Sequence, residues 1–178
     1  MKLHQNKSKT VFKTSFCWAG VSVSKKGICR IVLPQKNREA VENKIAVSSG
    51  TGIIDPVVQR KALKLLQNYF SGKRISCDLP LDIGTYTPFQ KAVWKATLSI
   101  PSGETRSYAW IAAKIGKPNS YRAVGQALGA NPIPIFIPCH RVVCSSGSLG
   151  GFAGGLDMKK KLLHLEQNYT SRKRTKKG

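Results

Sequence analysis

The sequence predicts an α/β (α+β) protein built from two units, and three observations lead to that prediction. Residues 11–33 contain two β-rich runs, and an Asp-Pro helix start follows at position 55. From residue 83 onward, apolar residues recur at helical spacing in several short segments. The 178 residues suffice for two small units, and a hydrophobic fraction of 41% is ordinary for a folded chain. We therefore expect an N-terminal α/β domain over 1–82 and a helical domain over 83–170.

The N-terminal unit is predicted to contain strands and one helix. The runs 11–23 and 27–33 are rich in β-branched and aromatic residues, and the Ser-Lys-Lys-Gly between them suits a hairpin turn. Asp-Pro at 55–56 supplies a helix cap and a first-turn proline, and Gly72 is the expected end of that helix. Residues 34–54 mix polar residues with glycine, so we expect a loop there.

Three short helices are predicted next. The first begins at Thr87-Pro88 and ends before Pro101, and the second carries apolar residues at helical spacing over 108–115. A Gly-Lys-Pro break separates it from a third helix, which starts at residue 119 or 120 and runs to Leu128. Two helices joined in this way predict a helix-turn-helix, whose second member often lies in a DNA groove. Helix hairpins also occur in proteins that never bind DNA.

The last part of the chain alternates between a loop, a helix and a basic end. Residues 145–155 are so rich in glycine that they predict an open loop, or wing. Apolar residues within 158–165 share one face of a final helix, with Glu166 beside them. The segment 171–178 is basic and lacks an apolar anchor, so we expect a disordered tail that attracts nucleic acid or serves as a nuclear address.

The charge of the chain favours a polyanionic partner. Thirty Lys and Arg against eight Asp and Glu give a formal net charge of +22, and from Thr85 onward only three acidic residues face fifteen basic ones. The alternative is a basic surface that serves solubility alone.

No apolar run approaches the roughly 18 residues that span a bilayer, and the N-terminus lacks a secretory core. We expect an intracellular protein with no membrane partner, in the nucleus rather than the cytoplasm.

The cysteine pattern argues against a structural framework of disulfides or metal. The chain has an odd number of cysteines without CxxC spacing, at positions 17, 29, 77, 139 and 144. His4, Cys17 and Cys29 do not complete a four-ligand zinc pattern. We therefore expect reduced thiols, no metal and no cofactor.

One cysteine stands beside a histidine. A thiol attacks only as thiolate, which is scarce at neutral pH because its ordinary pKa is near 8.5. An imidazole can accept the thiol proton, and a carboxylate can orient that imidazole. Cys139 and His140 are adjacent, and Glu166 lies on a helix that could pack behind them. The alternative is a buried structural cysteine, since neighbouring residues of a strand point to opposite faces.

The ordered motifs around this cysteine resemble those of the O6-alkylguanine-DNA alkyltransferase family. They are Pro-Cys-His-Arg-Val at 138–142, preceded by Arg-Ala-Val-Gly at 122–125 and Asn-Pro at 131–132, and followed by Gly-Gly at 154–155 and Leu-Leu-His-Leu-Glu at 162–166. The match is close from about Phe89 to Glu166. It implies a ribonuclease-H-like outline for the N-terminal domain and a winged helix-turn-helix for the domain at 83–170.

The resemblance implies specific catalytic roles. Cys139 corresponds to the alkyl acceptor, His140 to the group that deprotonates it through a water, and Glu166 to the carboxylate that holds this histidine. Asn131 corresponds to the residue that ties the active-site turn to the third helix. Tyr108 corresponds to the proton donor to the guanine ring.

The resemblance also implies a DNA surface and a substrate pocket. Arg122 would enter the duplex in place of the extruded nucleotide. The implied DNA-binding residues are Arg122, Ala123, Gly125, Tyr108, Arg141 and Ser145. The implied pocket residues are Leu128, Val142, Ser145, Gly150, Phe152, Ala153 and Gly154. Phe152 and Ala153 stand where family members often carry tyrosine and serine, so a hydroxyl is absent from the pocket wall.

The implied function is direct DNA repair. The alkyl group of O6-alkylguanine, or less well O4-alkylthymine, moves irreversibly and stoichiometrically to the cysteine after base flipping. The partner would be double-stranded DNA approached through its minor groove, and the protein a monomer. Three alternatives remain open: a damage sensor that flips the base without repairing it, a generic winged-helix DNA-binding protein, and a thiol hydrolase using cysteine, histidine and glutamate.

Overall fold

The computed structural model describes residues 9–46 and 55–174. The chain divides into two compact units, Met1–Ile83 and Gly84–Gly178. The mixed α/β class predicted from the sequence is confirmed. In chain order the elements are β1 (Lys9–Thr14), β2 (Cys17–Ser24), β3 (Gly27–Gln35), α1 (Arg38–Ala46), α2 (Pro56–Phe70), α3 (Pro88–Leu98), β4 (Arg106–Ser107), α4 (Tyr108–Lys114), α5 (Tyr121–Gly129), β5 (Val142–Val143) and α6 (Leu156–Arg174).

The sheet of the first unit contains one turn that the sequence did not predict. No turn was predicted within the β-rich run 11–23, but β1 and β2 are separate and pair antiparallel, with Thr14 opposite Cys17. The Thr14 hydroxyl accepts a hydrogen bond from the Phe16 amide (3.0 Å) and donates one to the Cys17 carbonyl (2.8 Å). This local hydroxyl bonding reverses the chain, as threonine often does in turns. The sheet order is β1-β2-β3.

The segment 34–54, expected to be a loop, contains a helix. In α1, Val41 and Ile45 are buried one turn apart and pack against Val32 of β3. Asn37 caps the helix, since its side chain accepts a hydrogen bond from the Ala40 amide at 2.8 Å. The prediction was wrong over 38–46 because few apolar residues mark the helix. Residues 47–54 lie outside the described part.

Helix α2 follows the sequence prediction. The Asp55 carboxylate accepts a hydrogen bond from the Val57 amide, and Pro56 occupies the first turn. The buried side chains of α2 are Ala62, Leu66, Tyr69 and Phe70. Gly72 ends the helix with φ of 81°, a conformation that glycine adopts without strain.

The second unit is built on three packed helices. A capping box between Thr87 and Gln90 starts α3, and the indole of the fully buried Trp94 donates a hydrogen bond to the Ala127 carbonyl of α5 at 2.9 Å. Gly116 ends α4 with φ of 71°, and the chain then turns directly into α5. Two helices therefore meet across a short break at the predicted place.

A two-residue parallel pairing links distant parts of the second unit. Arg106 pairs with Val142 and Ser107 with Val143. The next residues along the two strands are Tyr108 and Cys144. The pairing therefore brings the start of α4 close to the end of the segment that carries Cys139.

Helix α6 extends further than expected. The predicted disordered tail at 171–178 was wrong for its first four residues, because the backbone remains helical to Arg174. Residues 175–178 lie outside the described part. Within residues 9–46 and 55–174, no helix has the length and apolar character needed to cross a membrane.

Candidate active site

Cys139 lies at the start of a short 3₁₀ turn and is 7% exposed. The Asn131 side-chain amide donates hydrogen bonds to the Cys139 Sγ (3.1 Å) and to the Ile137 carbonyl (2.9 Å). The Asn131 Oδ1 accepts a third from the Ile133 amide at 2.9 Å. One side chain therefore holds both ends of the apolar segment 133–137 and contacts the thiol.

The apolar segment is strained where it approaches the cysteine. Ile135 has φ of 77°, a left-handed conformation that is rare for a β-branched residue and costs about 1–3 kcal/mol. The Ile137 amide donates to the Ile133 carbonyl at 2.9 Å across this residue. Together with Asn131, this bond keeps the strained turn in place.

Glu166 is a fully buried carboxylate on α6 that accepts hydrogen bonds on both oxygens. Its Oε1 contacts the His140 Nε2 at 2.8 Å and the Arg141 Nη2 at 2.9 Å. Its Oε2 accepts from the Arg141 Nε at 2.8 Å and from the Gly103 amide at 3.1 Å. Glu166 is therefore an interior residue and not an exposed charge on the helix surface. The structure brings together Cys139, His140 and Glu166 at the junction of the 3₁₀ turn and α6.

The electrostatics keep the thiol and the imidazole neutral at rest. Burial raises the pKa of the Cys139 thiol, although the Asn131 hydrogen bond and the charge of Lys159 oppose it. Burial lowers the pKa of His140 despite its contact with Glu166. Burial alone would also raise the pKa of the Glu166 carboxyl, but His140 and Arg141 outweigh it and hold that pKa well below its usual range.

Tyr108 stands at the start of α4, half-buried beside the cysteine segment. Its hydroxyl donates a hydrogen bond to the Gly151 carbonyl at 3.3 Å. Burial raises its pKa, with the nearby Cys144 and Cys139 adding to the effect. The phenol therefore keeps its proton and can act as a donor.

Lys159 of α6 is fully buried, which sequence reasoning did not anticipate. Its ammonium donates to the Val142 carbonyl at 2.5 Å, to the Leu149 carbonyl, and to the Gly151 carbonyl at 3.4 Å. Burial lowers its pKa, while Cys139 and Cys144 oppose that shift. Lys159 thus ties the glycine-rich loop to β5 beneath the site. The one sign of this burial in the sequence is spacing, because Lys159 precedes Leu162 and Glu166 by three and seven residues on the same helical face.

Replacing Lys159 with methionine should lower the free energy of unfolding by about 2 kcal/mol or more, because buried carbonyls lose their donor. Chemical denaturation measures this change. Lys160→Met is the matched control, since Lys160 is exposed on the same helix and its loss should cost little. Equal stability of the two variants would contradict the structural role of Lys159.

A cavity of about 400 Å³ opens in front of the thiol, within the range of small-ligand sites. Its lining residues are Tyr108, Tyr121, Gly125, Leu128, Gly129, Cys139, Cys144, Gly150, Gly151, Phe152 and Ala153. Three residues expected in the pocket do not line it. Val142 is fully buried in the core at the β4–β5 pairing, and Ser145 and Gly154 are exposed to solvent.

The expected DNA-contacting residues fall into two groups. Arg122 is exposed on the first turn of α5, with Ala123 and Gly125 partly exposed on the same helix, and Ser145 is exposed on the loop. Arg141 is placed differently from the prediction. Its guanidinium is bound to Glu166, and its Nη1 donates to the Ile100 carbonyl at 2.7 Å, so it braces the protein interior.

Several lining residues were missed from the sequence. Cys144 is partly exposed at the cavity wall, a position that its sequence context does not indicate. Tyr121 and the glycines at 129 and 151 also line the cavity, and no periodicity distinguishes them from ordinary helix or loop residues. Within the described residues, no group of three His, Cys, Asp or Glu could hold a metal ion, and His4 lies outside them.

Comparisons with known proteins place this arrangement in a family. Residues 88–168 match the family described as 6-O-methylguanine DNA methyltransferase, DNA binding domain. A methylated-DNA–protein-cysteine methyltransferase of Methanosarcina barkeri is 58% identical over 109 residues, which are 61% of this chain and 68% of that protein. The Mycobacterium tuberculosis protein of the same name is 50% identical over 114 residues, 64% of this chain and 68% of that protein.

Solved structures agree over most of the chain. The crystal structure of Mycobacterium tuberculosis OGT in complex with DNA has a TM-score of 0.74 and 37% identity, covering 90% of this chain and 93% of that one. The O6-methylguanine-DNA methyltransferase of Pyrococcus kodakaraensis has a TM-score of 0.62 and 27% identity, covering 89% and 97%. The resemblance noted from the sequence is therefore confirmed, and the chain belongs to the methylated-DNA–protein-cysteine methyltransferase family.

Proposed function

We propose that this protein repairs DNA by moving the alkyl group of O6-alkylguanine onto Cys139. The observation that carries the proposal is a buried thiol that Asn131 holds at the wall of a cavity, beside the buried His140–Glu166 pair. Relatives at 50–58% identity are named for the transfer of methyl groups from DNA to a protein cysteine. The acceptor cysteine disfavours a sensor, and the charge of +22 disfavours a simple hydrolase.

Residues of the site account for each proton and each bond in the proposed alkyl transfer. The Cys139 proton passes through a water to His140 Nδ1, since Nε2 faces Glu166, and the carboxylate stabilises the imidazolium formed. The sulfur then attacks the alkyl carbon, an S–C bond forms, and the C–O6 bond breaks with its electron pair on the guanine. Tyr108 donates a proton to the departing base, and the proton held by His140 then returns through solvent to the tyrosinate, so both residues end neutral. A thioether is not reopened by thiol exchange, so each molecule acts once.

The proposed DNA partner is a duplex whose damaged nucleotide has been flipped out. A sulfur cannot reach O6 inside the base stack, and flipping costs a few kcal/mol that an inserted side chain can offset. We assign that insertion to Arg122 on α5, approaching from the minor groove, with α4, α5 and the loop 144–155 acting as a winged helix-turn-helix. O4-alkylthymine in DNA is proposed as a second, poorer substrate. The protein is proposed to act as a monomer. For the first unit, we propose a ribonuclease-H-like outline.

Counting transferred methyl groups tests this function. With excess duplex carrying labelled O6-methylguanine, the protein should take up one methyl per molecule and then stop. Cys139→Ser should take up none, whereas Cys144→Ser, which removes the other thiol of the cavity, should retain transfer. Continued release of methyl as a free product would contradict single use, and tight binding without uptake would favour a sensor.

Gly150→Ala should slow alkyl transfer by at least about ten-fold, because it displaces the proposed acid. A Cβ at Gly150 would lie 2.7 Å from the Tyr108 hydroxyl oxygen and 3.1 Å from the Cys144 Sγ, on a residue with φ of 64°. Gly147→Ala is the control, since its φ is 83° but nothing lies within 4 Å of its Cβ. Single-turnover rates measure the effect. Equal rates for the two variants would show that backbone strain alone matters.

A further inference from the structure

Tyr121 is an exposed aromatic residue at the edge of the cavity. It is the first residue of α5, and 49% of it is exposed although it borders the cavity. It lines the cavity together with Gly125 and Gly129, which follow it at intervals of four on one helical face. Sequence reasoning assigned it no role.

The helix face next to this ring is bare. A Cβ at Gly129 would meet nothing within 4 Å, and one at Gly125 would approach only the Tyr108 ring, at 3.8 Å. Tyr121 therefore stands at one end of a strip of α5 without side chains, which leads into the cavity. A flat molecule entering along this strip would pass the exposed ring.

A cation lies against the same ring. The Arg122 guanidinium carbon is 5.9 Å from the Tyr121 ring centroid, within cation–π distance. An aromatic ring beside a cation is the combination that binds unpaired nucleotides, since every base presents a π-face and every phosphate a negative charge.

We propose that Tyr121 contacts the extruded nucleotide at the mouth of the cavity, where its ring packs against the sugar while the base enters. This inference rests on the proposed function, because it assumes that a flipped nucleotide occupies the cavity. It makes Tyr121 a substrate-contacting residue that favours a nucleotide in DNA over a free base, which has no sugar to contact.

Single-turnover transfer from a saturating O6-methylguanine duplex tests the contact. Tyr121→Ala should lower the rate about ten-fold, the scale of one lost aromatic contact to a nucleotide, while Tyr121→Phe stays within about two-fold of the parent. Both should react with free O6-benzylguanine within about two-fold of the parent. Leu98→Ala is the matched control, because Leu98 is 47% exposed at the end of α3 and does not line the cavity.

Repeating the Tyr121→Ala change in Arg122→Ala protein shows whether the Tyr121 ring contacts the nucleotide itself or acts only by holding Arg122. In Arg122→Ala protein, Tyr121→Ala should still slow duplex transfer several-fold. Loss of that effect would overturn the contact, because the ring would then act only by holding the arginine. A parent protein that takes up no methyl would refute the proposed function itself. A parent that takes up methyl at the same rate as Tyr121→Ala would refute this inference alone.

Discussion

Replacing Glu166 with glutamine is expected to slow alkyl transfer to Cys139 by about 100-fold and to lower the free energy of unfolding by about 3 kcal/mol. The carboxylate is fully buried and receives hydrogen bonds from His140, Arg141 and Gly103. A neutral amide leaves the Arg141 charge uncompensated in the interior and cannot stabilise an imidazolium. Single-turnover kinetics and chemical denaturation measure the two effects.

Glu104→Gln is the matched control for this change. Glu104 also pairs with an arginine, Arg106, at 2.7 Å, but both side chains are substantially exposed. An exposed pair of this kind contributes little to stability. Near-parent transfer rates in Glu166→Gln protein would remove Glu166 from the proposed chemistry, whatever its effect on stability.

The same carboxylate predicts how stability depends on pH. Its pKa in the folded protein lies well below the value near 4.3 of an unfolded chain. The stability it contributes is therefore present above about pH 4.3 and is lost as the pH falls through the lower folded pKa. The stability gap between the parent and Glu166→Gln should be constant from pH 7 to about pH 5 and shrink in stronger acid. Denaturation curves over that range would contradict the assignment if the gap grew on acidification.

Arg122→Ala is expected to slow repair of duplex DNA by about 100-fold while changing the reaction with free O6-benzylguanine by less than about two-fold. Arg122 is exposed on the first turn of α5 and follows Tyr121, which lines the cavity. Removing it should therefore affect only the step that extrudes the nucleotide. Comparing rates on the two substrates isolates that step.

Arg74→Ala provides the control for loss of charge. Arg74 is an exposed arginine of the first unit, so its removal changes the net charge equally. Its effect on duplex repair should be small. If Arg122→Ala reduced both reactions by the same factor, the insertion role would be refuted.

The sequence predicted the elements whose local signals are strong. Asp55-Pro56, Thr87-Pro88 and Gly72 mark helix ends through capping and backbone chemistry, and the structure places helix ends there. Helix α1 was missed because its stability comes from Val41 and Ile45 packing on the sheet, a tertiary contact that composition does not reveal. The β4–β5 pairing is two residues long and joins segments about 36 residues apart, so no local sequence pattern predicts it.

The catalytic residues of the site could be predicted from a motif, whereas the orientation and burial of the side chains around them could not. Cys139, His140 and Glu166 could be placed together because the resemblance supplied their order. The sequence could not show that the Arg141 side chain points inward to Glu166. Sequence alone does not distinguish an arginine that binds an interior carboxylate from one that faces solvent. Lys159 and Tyr121 were missed for opposite reasons: a lysine is usually exposed, and an aromatic residue is usually buried.

The mass of the peptide containing Cys139, after the protein has reacted with a duplex bearing O6-methylguanine, shows whether the methyl group moves to this sulfur. We expect one added methyl group on that peptide, with the Cys144 sulfur unmodified and the guanine in the DNA restored. An unmodified Cys139 in protein that has bound the duplex, or a methyl group found on another residue, would contradict it.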